Sequence, residues 1–406
     1  MSGMNHDSKK NCRGWRTFLK SGVVSVLVFL VAVTGVCGCS SSDKATQPEE
    51  ESAAQNLEIN TKKSQKISIV MVGDMLLHTP ILESGLQEDG SYNYDHLFAH
   101  TGDVIEAADI AIVNEEAILG GSELGLSGYP SFNAGFEVGD ALVNAGFDVV
   151  CHANNHALDM GEAGLTNCFN FWKETYPDMQ VLGIHDSEED ADELHVMEVG
   201  DTKIALLNYT EMLNSGTRPN DYDVDMLQED KVVSDLKKAE EAADFVIVIP
   251  HWGEEYSMGI SESQQKWAQI FMENGADLVI GSHPHVIEPV QWMEDVDGHP
   301  MLVYYSLGNY CSFTEGSGEG KGDRALGAMA QVTLTAEDGE VSISDYGVRP
   351  LVAQLEAGRG NPTVYFLDEY TEELADKSEM KTKDPTFSVD HLKELCRKVF
   401  GNLYQE

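Results

Sequence analysis

Basic side chains are scarce in this 406-residue chain: 26 Lys and Arg stand against 69 Asp and Glu, for a net charge of −43. Most of such a surface would repel a polyphosphate, which excludes nucleic acid as a general partner, whereas divalent cations would be attracted. Cysteine is sparse as well. There are seven, with no CxxC pair, so nothing reads as a thiolate zinc cluster. No apolar run reaches the roughly 20 residues that a membrane-crossing helix needs, and no internal repeat is visible. What is present, 42% hydrophobic and 8% aromatic residues, is the composition of a globular protein long enough to bury a large core.

The N-terminus carries a targeting pattern. Lys9, Lys10, Arg13, Arg16 and Lys20 precede an apolar run over 23–37 that ends in Val36-Cys37-Gly38-Cys39-Ser40. This predicts an export signal over 1–38, with a lipobox that makes Cys39 the lipidated residue; an uncleaved signal anchor is the alternative. The expected location is the extracytoplasmic face of the cell membrane, held there by the lipid. Residues 39–66, rich in Ser, Gln, Glu, Lys and Asn, read as a solvated tether. Cys151, Cys168, Cys311 and Cys396 remain, and the sequence does not choose between pairing and free thiols.

From residue 67 onward, short apolar runs alternate with amphipathic stretches. Strands are expected at 67–72, 110–113, 149–151, 204–208, 245–250, 278–280 and 301–305. Helices are expected between them at 138–145, 164–174, 232–243 and 263–274. Near-continuous apolar strands separated by helices predict α/β layering with sheets buried on both faces. Asp338-Gly339, flanked by apolar runs, predicts a hairpin and so a further antiparallel element. One domain over 67–355 is expected, then a C-terminal extension over 356–406 whose helix at 389–400 packs on it.

The strands stop in a distinctive way. The first runs into Gly73-Asp74, with His78 four residues on, and the second into Asn114-Glu115-Glu116. The third leads to His152-Ala153-Asn154-Asn155-His156-Ala157-Leu158-Asp159. Later strands run into His251-Trp252-Gly253 and Gly281-Ser282-His283-Pro284-His285. Each piece has an ordinary structural reading: an Asp after a strand is commonly a cap or turn residue, and a lone His is commonly a satisfied structural one. Five strand ends that each deliver a metal-competent side chain make a convergent set, because the carboxyl ends of strands line the binding crevice of an open α/β sheet. Carboxylate, amide and imidazole donors suit one or two Mn, Fe, Zn or Mg ions and need no thiolate.

In this order Gly-Asp-Met, Asn-Glu-Glu, Asn-Asn-His-Ala-Leu-Asp-Met-Gly, His-Trp-Gly-Glu-Glu-Tyr, Gly-Ser-His-Pro-His and Tyr-Ser-Leu-Gly-Asn-Tyr resemble the CapA family of capsule-synthesis proteins. That family is associated with poly-γ-glutamate and related to calcineurin-like metallophosphoesterases. The resemblance implies a four-layer α/β/β/α sandwich. It implies Asp74, Glu116, Asn155, His251, His283 and His285 as metal ligands, with Glu116 as the bridge and Glu115 as its alternative. It implies His156 as general acid and Asp159 as the group that orients a histidine. Two departures, the long step from Asp74 to His78 and a Glu at the bridge, leave the number of metals open. His152 reads as a neighbour of the site, while His185 and His195 show no convergent partner. Ser306 or Asn309 would lie near the metals or simply end a buried strand. The glycine-rich loop at 316–322, with Lys321 and nearby Arg324, reads either as a positively charged lid or as an ordinary loop. The function expected is metal-dependent hydrolase or transferase chemistry on poly-γ-glutamate or another envelope polymer. The alternative is a non-enzymatic accessory protein that tethers or guides polymer within a membrane complex.

Overall fold

A computed structural model describes residues 64–215, 218–313 and 316–405. The expected signal, Cys39 and the tether up to residue 63 lie outside them. No helix among the described residues is long and apolar enough to cross a membrane.

Fourteen strands run through these residues: β1 (Ser64–Met75), β2 (Ile110–Glu115), β3 (Val149–Cys151), β4 (Gln180–Leu182), β5 (His195–Val199), β6 (Thr202–Thr210), β7 (Phe245–His251), β8 (Leu278–Ile280), β9 (Val290–Glu294), β10 (Pro300–Tyr304), β11 (Asn309–Cys311), β12 (Leu326–Glu337), β13 (Glu340–Glu356) and β14 (Gly360–Phe366). They form two sheets. One has the order β14-β13-β12-β1-β2-β3-β4, with β11 paired to β1; the other has the order β5-β6-β7-β8-β10-β9. β1, β2 and β3 are mutually parallel, as are β6, β7 and β8, so their carboxyl ends point one way within each sheet.

Side-chain alternation sorts the core into three layers. Ile67, Ile69 and Met71 of β1 face Ile204, Leu206, Ile247 and Ile280 across the gap between the sheets. Val70 and Val72 face the other way, onto Leu142, Leu165 and Trp172 of the helices Phe136–Ala145 and Gly161–Thr175. Beyond the second sheet, Val246, Val248 and Val303 pack on Leu236, Trp267 and Phe271 of the helices Glu229–Ala242 and Glu262–Glu273. Helix, sheet, sheet, helix is the layer order that the resemblance implies.

Two expected boundaries shift. The first strand begins at Ser64 rather than residue 67, because β12 pairs with it as far as Ser64 opposite Glu337. That extension is set by a partner strand and not by apolarity. The boundary at 355 falls inside the sheet, since β14 continues it with Leu351 opposite Phe366. As an edge strand β14 buries only alternate residues and tolerates Pro362, so it lacks the run that marks a central strand. The helix Val389–Phe400 follows, capped by Ser388, and sends Leu392, Leu395 and Phe400 into the inter-sheet core. The hairpin turn at Asp338-Gly339 has φ of 58° and 87°, the left-handed pair that a tight hairpin requires.

Candidate metal centre and cleft

The carboxyl ends of β1, β2, β7 and β8 deliver their polar residues to one buried point. Backbone crowding explains why glycine precedes two of them. A Cβ on Gly73 would sit 1.9 Å from the Gly308 carbonyl oxygen, and one on Gly281 would sit 2.2 Å from that of Tyr305. Asp74 and the Ser282-His283 turn therefore approach as they do only because those positions carry no side chain. His283 and His285 themselves hold positive φ, 100° and 57°. Non-glycine residues keep that backbone only where surrounding structure imposes it, and such positions gather at functional sites.

Two sets of ligand-competent atoms converge, each with its atoms within 4.8 Å of one another: Glu116, His251 and His283 in one, Asp74, Glu116 and His285 in the other. Glu116 belongs to both. Its Oε1 lies 3.6 Å from His251 Nε2 and 3.6 Å from His285 Nε2. Asn155 Oδ1 is 2.8 Å from His251 Nε2, and His283 Nδ1 is 3.1 Å from the same nitrogen. Asp74 Oδ2 is 3.1 Å from His285 Nδ1. All six residues are buried. Glu115 and His78 join neither set.

The donors fit divalent cations. Both Glu116 oxygens are buried and accept no hydrogen bond, as is Asn114 Oδ1. Such atoms are costly to leave bare, and oxygen and imidazole nitrogen together are a hard-to-borderline ligand set. Electrostatics agree. Burial, reinforced by the imidazoles around it, holds His251 well below its ordinary value, and burial with His285 holds His283 at about 4. Burial also raises Glu116, helped by Asp74. His285 resists burial because Glu116 and Asp74 hold it up at about 9. A bound cation would favour the charged carboxylate and the neutral imidazoles, so its binding would release protons from this cluster.

Orienting side chains surround the ligands, and most carry no sequence signal. Asn114 Nδ2 donates to Asp74 Oδ1 at 2.8 Å and lies 3.3 Å from His251 Nδ1. Ser282 Oγ sits 2.9 Å from His251 Nδ1. Asn309 Oδ1 is 3.1 Å from His285 Nδ1. Ser306 instead holds its own turn, donating to the Val286 carbonyl. His152 accepts from Trp172 Nε1 at 3.0 Å and stays among the core residues behind the site. His185 does have partners, Asp190 and Asp225, at 3.1 and 2.8 Å. His195 contacts Gln180. The four cysteines Cys151, Cys168, Cys311 and Cys396 are free and buried.

A cleft of about 750 Å³ opens beside the centre, lined in part by His78, Phe132, His156, Asp159, Tyr256, His285, Phe313 and Arg324. His78 forms its wall, edge-on to Phe132 at 5.1 Å, and burial keeps it neutral, down at about 3. His156 Nδ1 lies 2.6 Å from Asp159 Oδ2, which also accepts from the Phe132 amide at 2.7 Å. The carboxylate therefore fixes the ring and its tautomer, leaving Nε2, with Asn214 at 3.3 Å, as the nitrogen for exchange. Arg324 lines the cleft while Lys321 does not. The loop between them and β11 is fastened by Gly318 N to the Lys383 carbonyl and by Gly322 N to Asp384.

The bacterial capsule synthesis protein family PGA_cap matches residues 68–314, more than half the chain. A capsule biosynthesis protein CapA of Bacillus anthracis is 27% identical over 263 residues, 62% of this chain and 61% of that protein. A PGA biosynthesis protein CapA of Bacillus subtilis is 30% identical over 173 residues, 42% of this chain and 43% of that one. The chain thus spans less than two thirds of the length of these relatives. Among solved structures, a phosphatase of Mycoplasma pneumoniae overlaps with TM-score 0.45 at 14% identity, covering 71% of this chain and 95% of its own. A calcineurin-like phosphoesterase of Bacillus subtilis overlaps with TM-score 0.41 at 12% identity, covering 83% and 98%.

Proposed function

Because the chain belongs to the bacterial capsule synthesis family PGA_cap, we propose that it acts in making or anchoring a capsule or envelope polymer, poly-γ-glutamate in the first instance, as a metal-dependent hydrolase or transferase. One observation carries this reading: a buried carboxylate, Glu116, with both oxygens bare, stands between two imidazole-bearing ligand sets. Asp74, Glu116 and His285 would hold one divalent cation, and Glu116, Asn155, His251 and His283 another. When bound, such cations supply Lewis acidity to a carbonyl or phosphoryl oxygen and make a nearby water more acidic.

This chain's own residues do the rest. His156, oriented by Asp159, passes a proton between Nε2 and the leaving group. The aromatic wall of Phe132, His78 and Phe313 excludes water from one side of the cleft. On the same reading the N-terminal segment exports the protein, and Cys39 anchors it by lipid to the outer face of the membrane, within reach of a polymer-synthesis complex. Detergent partitioning of the full chain tests the anchor: Cys39→Ser should move it from the detergent phase to the aqueous one.

Elemental analysis decides the main reading. Wild type should carry one or two divalent ions per chain, and His283→Ala/His285→Ala should carry none. Absence of metal from the wild type after loading would leave a polymer-guiding accessory protein instead. Turnover of generic aryl phosphates would move the substrate away from capsule.

A further inference from the structure

One guanidinium, that of Arg324, lines a cleft that also carries Asp159, Glu255 and three histidines. The guanidinium carbon of Arg324 lies over the Tyr256 ring, 3.3 Å from its centroid. No carboxylate among the described residues forms an ion pair with it. Its sequence neighbour Asp323 is taken by His391, 2.7 Å away. A guanidinium that meets a ring through its face keeps its edge, a fork of N–H donors, for a ligand.

The pair is also tied to the candidate centre. The Arg324 carbonyl accepts from Asn309 Nδ2 at 2.8 Å, and Asn309 Oδ1 is 3.1 Å from His285 Nδ1. Tyr256, held at φ 65° with its amide on the Pro284 carbonyl at 2.7 Å, places its ring 5.9 Å from that of His285. A group bound at the Arg324 edge is therefore registered against the ligands by two short links.

We propose that Arg324, braced on Tyr256, is the specificity residue of the cleft and anchors a carboxylate of the substrate chain beside the bond brought to the ligand cluster. This rests on the reading of that cluster as a metal centre. The planar guanidinium fork matches a planar carboxylate in two parallel bonds. The apolar part of the wall, Leu76, Tyr129, Phe132, Leu158 and Phe313, suits aliphatic spacers between such charges. The substrate class is thus a chain of carboxylate-bearing units joined through methylene groups.

The test is a binding titration of the metal-loaded full chain with a short γ-linked glutamate oligomer and with the same oligomer fully amidated on its free carboxylates. Wild type should prefer the acidic oligomer at least tenfold. Arg324→Gln should remove that preference by weakening the acidic oligomer and leaving the amidated one unchanged. Arg324→Lys should recover only part of it, because an ammonium neither stacks nor forks. Tyr256→Phe should keep the preference and Tyr256→Leu should reduce it. Equal binding of the two oligomers by wild type, an unchanged preference in Arg324→Gln, or no binding of either oligomer would each overturn the assignment. Metal content measured on the same samples separates the two readings. A protein with metal but no Arg324-dependent preference retains the centre and loses the anchor; one without metal but with that preference does the reverse.

Discussion

Two clusters of buried histidine and carboxylate, around His185 and around Glu116, close their charge in different ways. Around His185, Nδ1 meets Asp190 at 3.1 Å and Nε2 meets Asp225 at 2.8 Å. Lys231 bridges Asp225 and Asp235, and Tyr209 donates to Asp235 as well. Every charge there has a partner within the chain. At the ends of β1, β2, β7 and β8, three histidines face Asp74 and Glu116, and both oxygens of Glu116 remain bare. The first cluster is complete without a ligand and reads as structure. The second leaves both oxygens of a buried carboxylate without a hydrogen bond, as a candidate cation site does.

The largest effect that sharpens this contrast is on metal binding. Glu116→Gln removes the one carboxylate common to both ligand sets and should abolish bound metal, as read by elemental analysis. It should also abolish the stabilisation that metal gives wild type, about 4 kcal/mol at a thousandfold excess over Kd. Without metal the same variant should be no less stable than wild type, because the cost of burying a carboxylate that accepts no hydrogen bond offsets its attraction to His285. A metal-free Glu116→Gln that melted well below metal-free wild type would show that the carboxylate is satisfied within the chain, and the contrast would fail.

At the closed cluster the expectation reverses. His185→Gln takes the shared imidazole from Asp190 and leaves Asp225 with Lys231 alone, and should cost about 3 kcal/mol in urea denaturation, with no change in metal content. Its pH dependence follows from the same geometry. Burial works against the charged ring, but the two aspartates hold His185 up at about 9, above its ordinary 6.5. A value raised on folding gives stability that is complete below about 6.5 and is lost as pH rises through about 9, roughly 3 kcal/mol in all. Stability curves of wild type and His185→Gln should therefore converge between those pH values; parallel curves would sink the assignment.

How legible each cluster was in the sequence follows from its chemistry. The clusters that hold Asp74, Glu116, Asn155, His251, His283 and His285 stood out because each follows an apolar strand and the pattern repeats at successive strand ends; the family resemblance chose among neighbours such as Glu115 and Glu116 or Asn154 and Asn155. The layer order was legible for the same reason, as long buried strands carry continuous apolar runs. Asn114, Ser282 and Asn214 carry no such mark, since neutral polar residues at strand ends are ordinary and their partners lie far along the chain. Asn114 meets Asp74 across 40 residues and His251 across 137. His185 appeared partnerless for a related reason: Asp225 stands 40 residues on, in a segment without periodicity. Edge strands such as β9 and β14 escaped because backbone pairing defines them, while their side chains are half exposed.

The smallest predicted effect draws the contrast most finely, between two adjacent glutamates. Glu115 and Glu116 are both fully buried, and none of their four carboxyl oxygens accepts a hydrogen bond. Glu116 faces imidazoles. Glu115 points instead toward the core that holds Cys168 and Cys311, where burial raises it well above the ordinary carboxylate range. A carboxyl group in that setting folds as the neutral acid, which an amide matches in shape and charge. Glu115→Gln should therefore shift the urea midpoint by less than about 1 kcal/mol and leave metal stoichiometry intact. Were Glu115 the bridging ligand, the same substitution would strip the metal as Glu116→Gln does, so one pair of isosteric variants assigns the bridge.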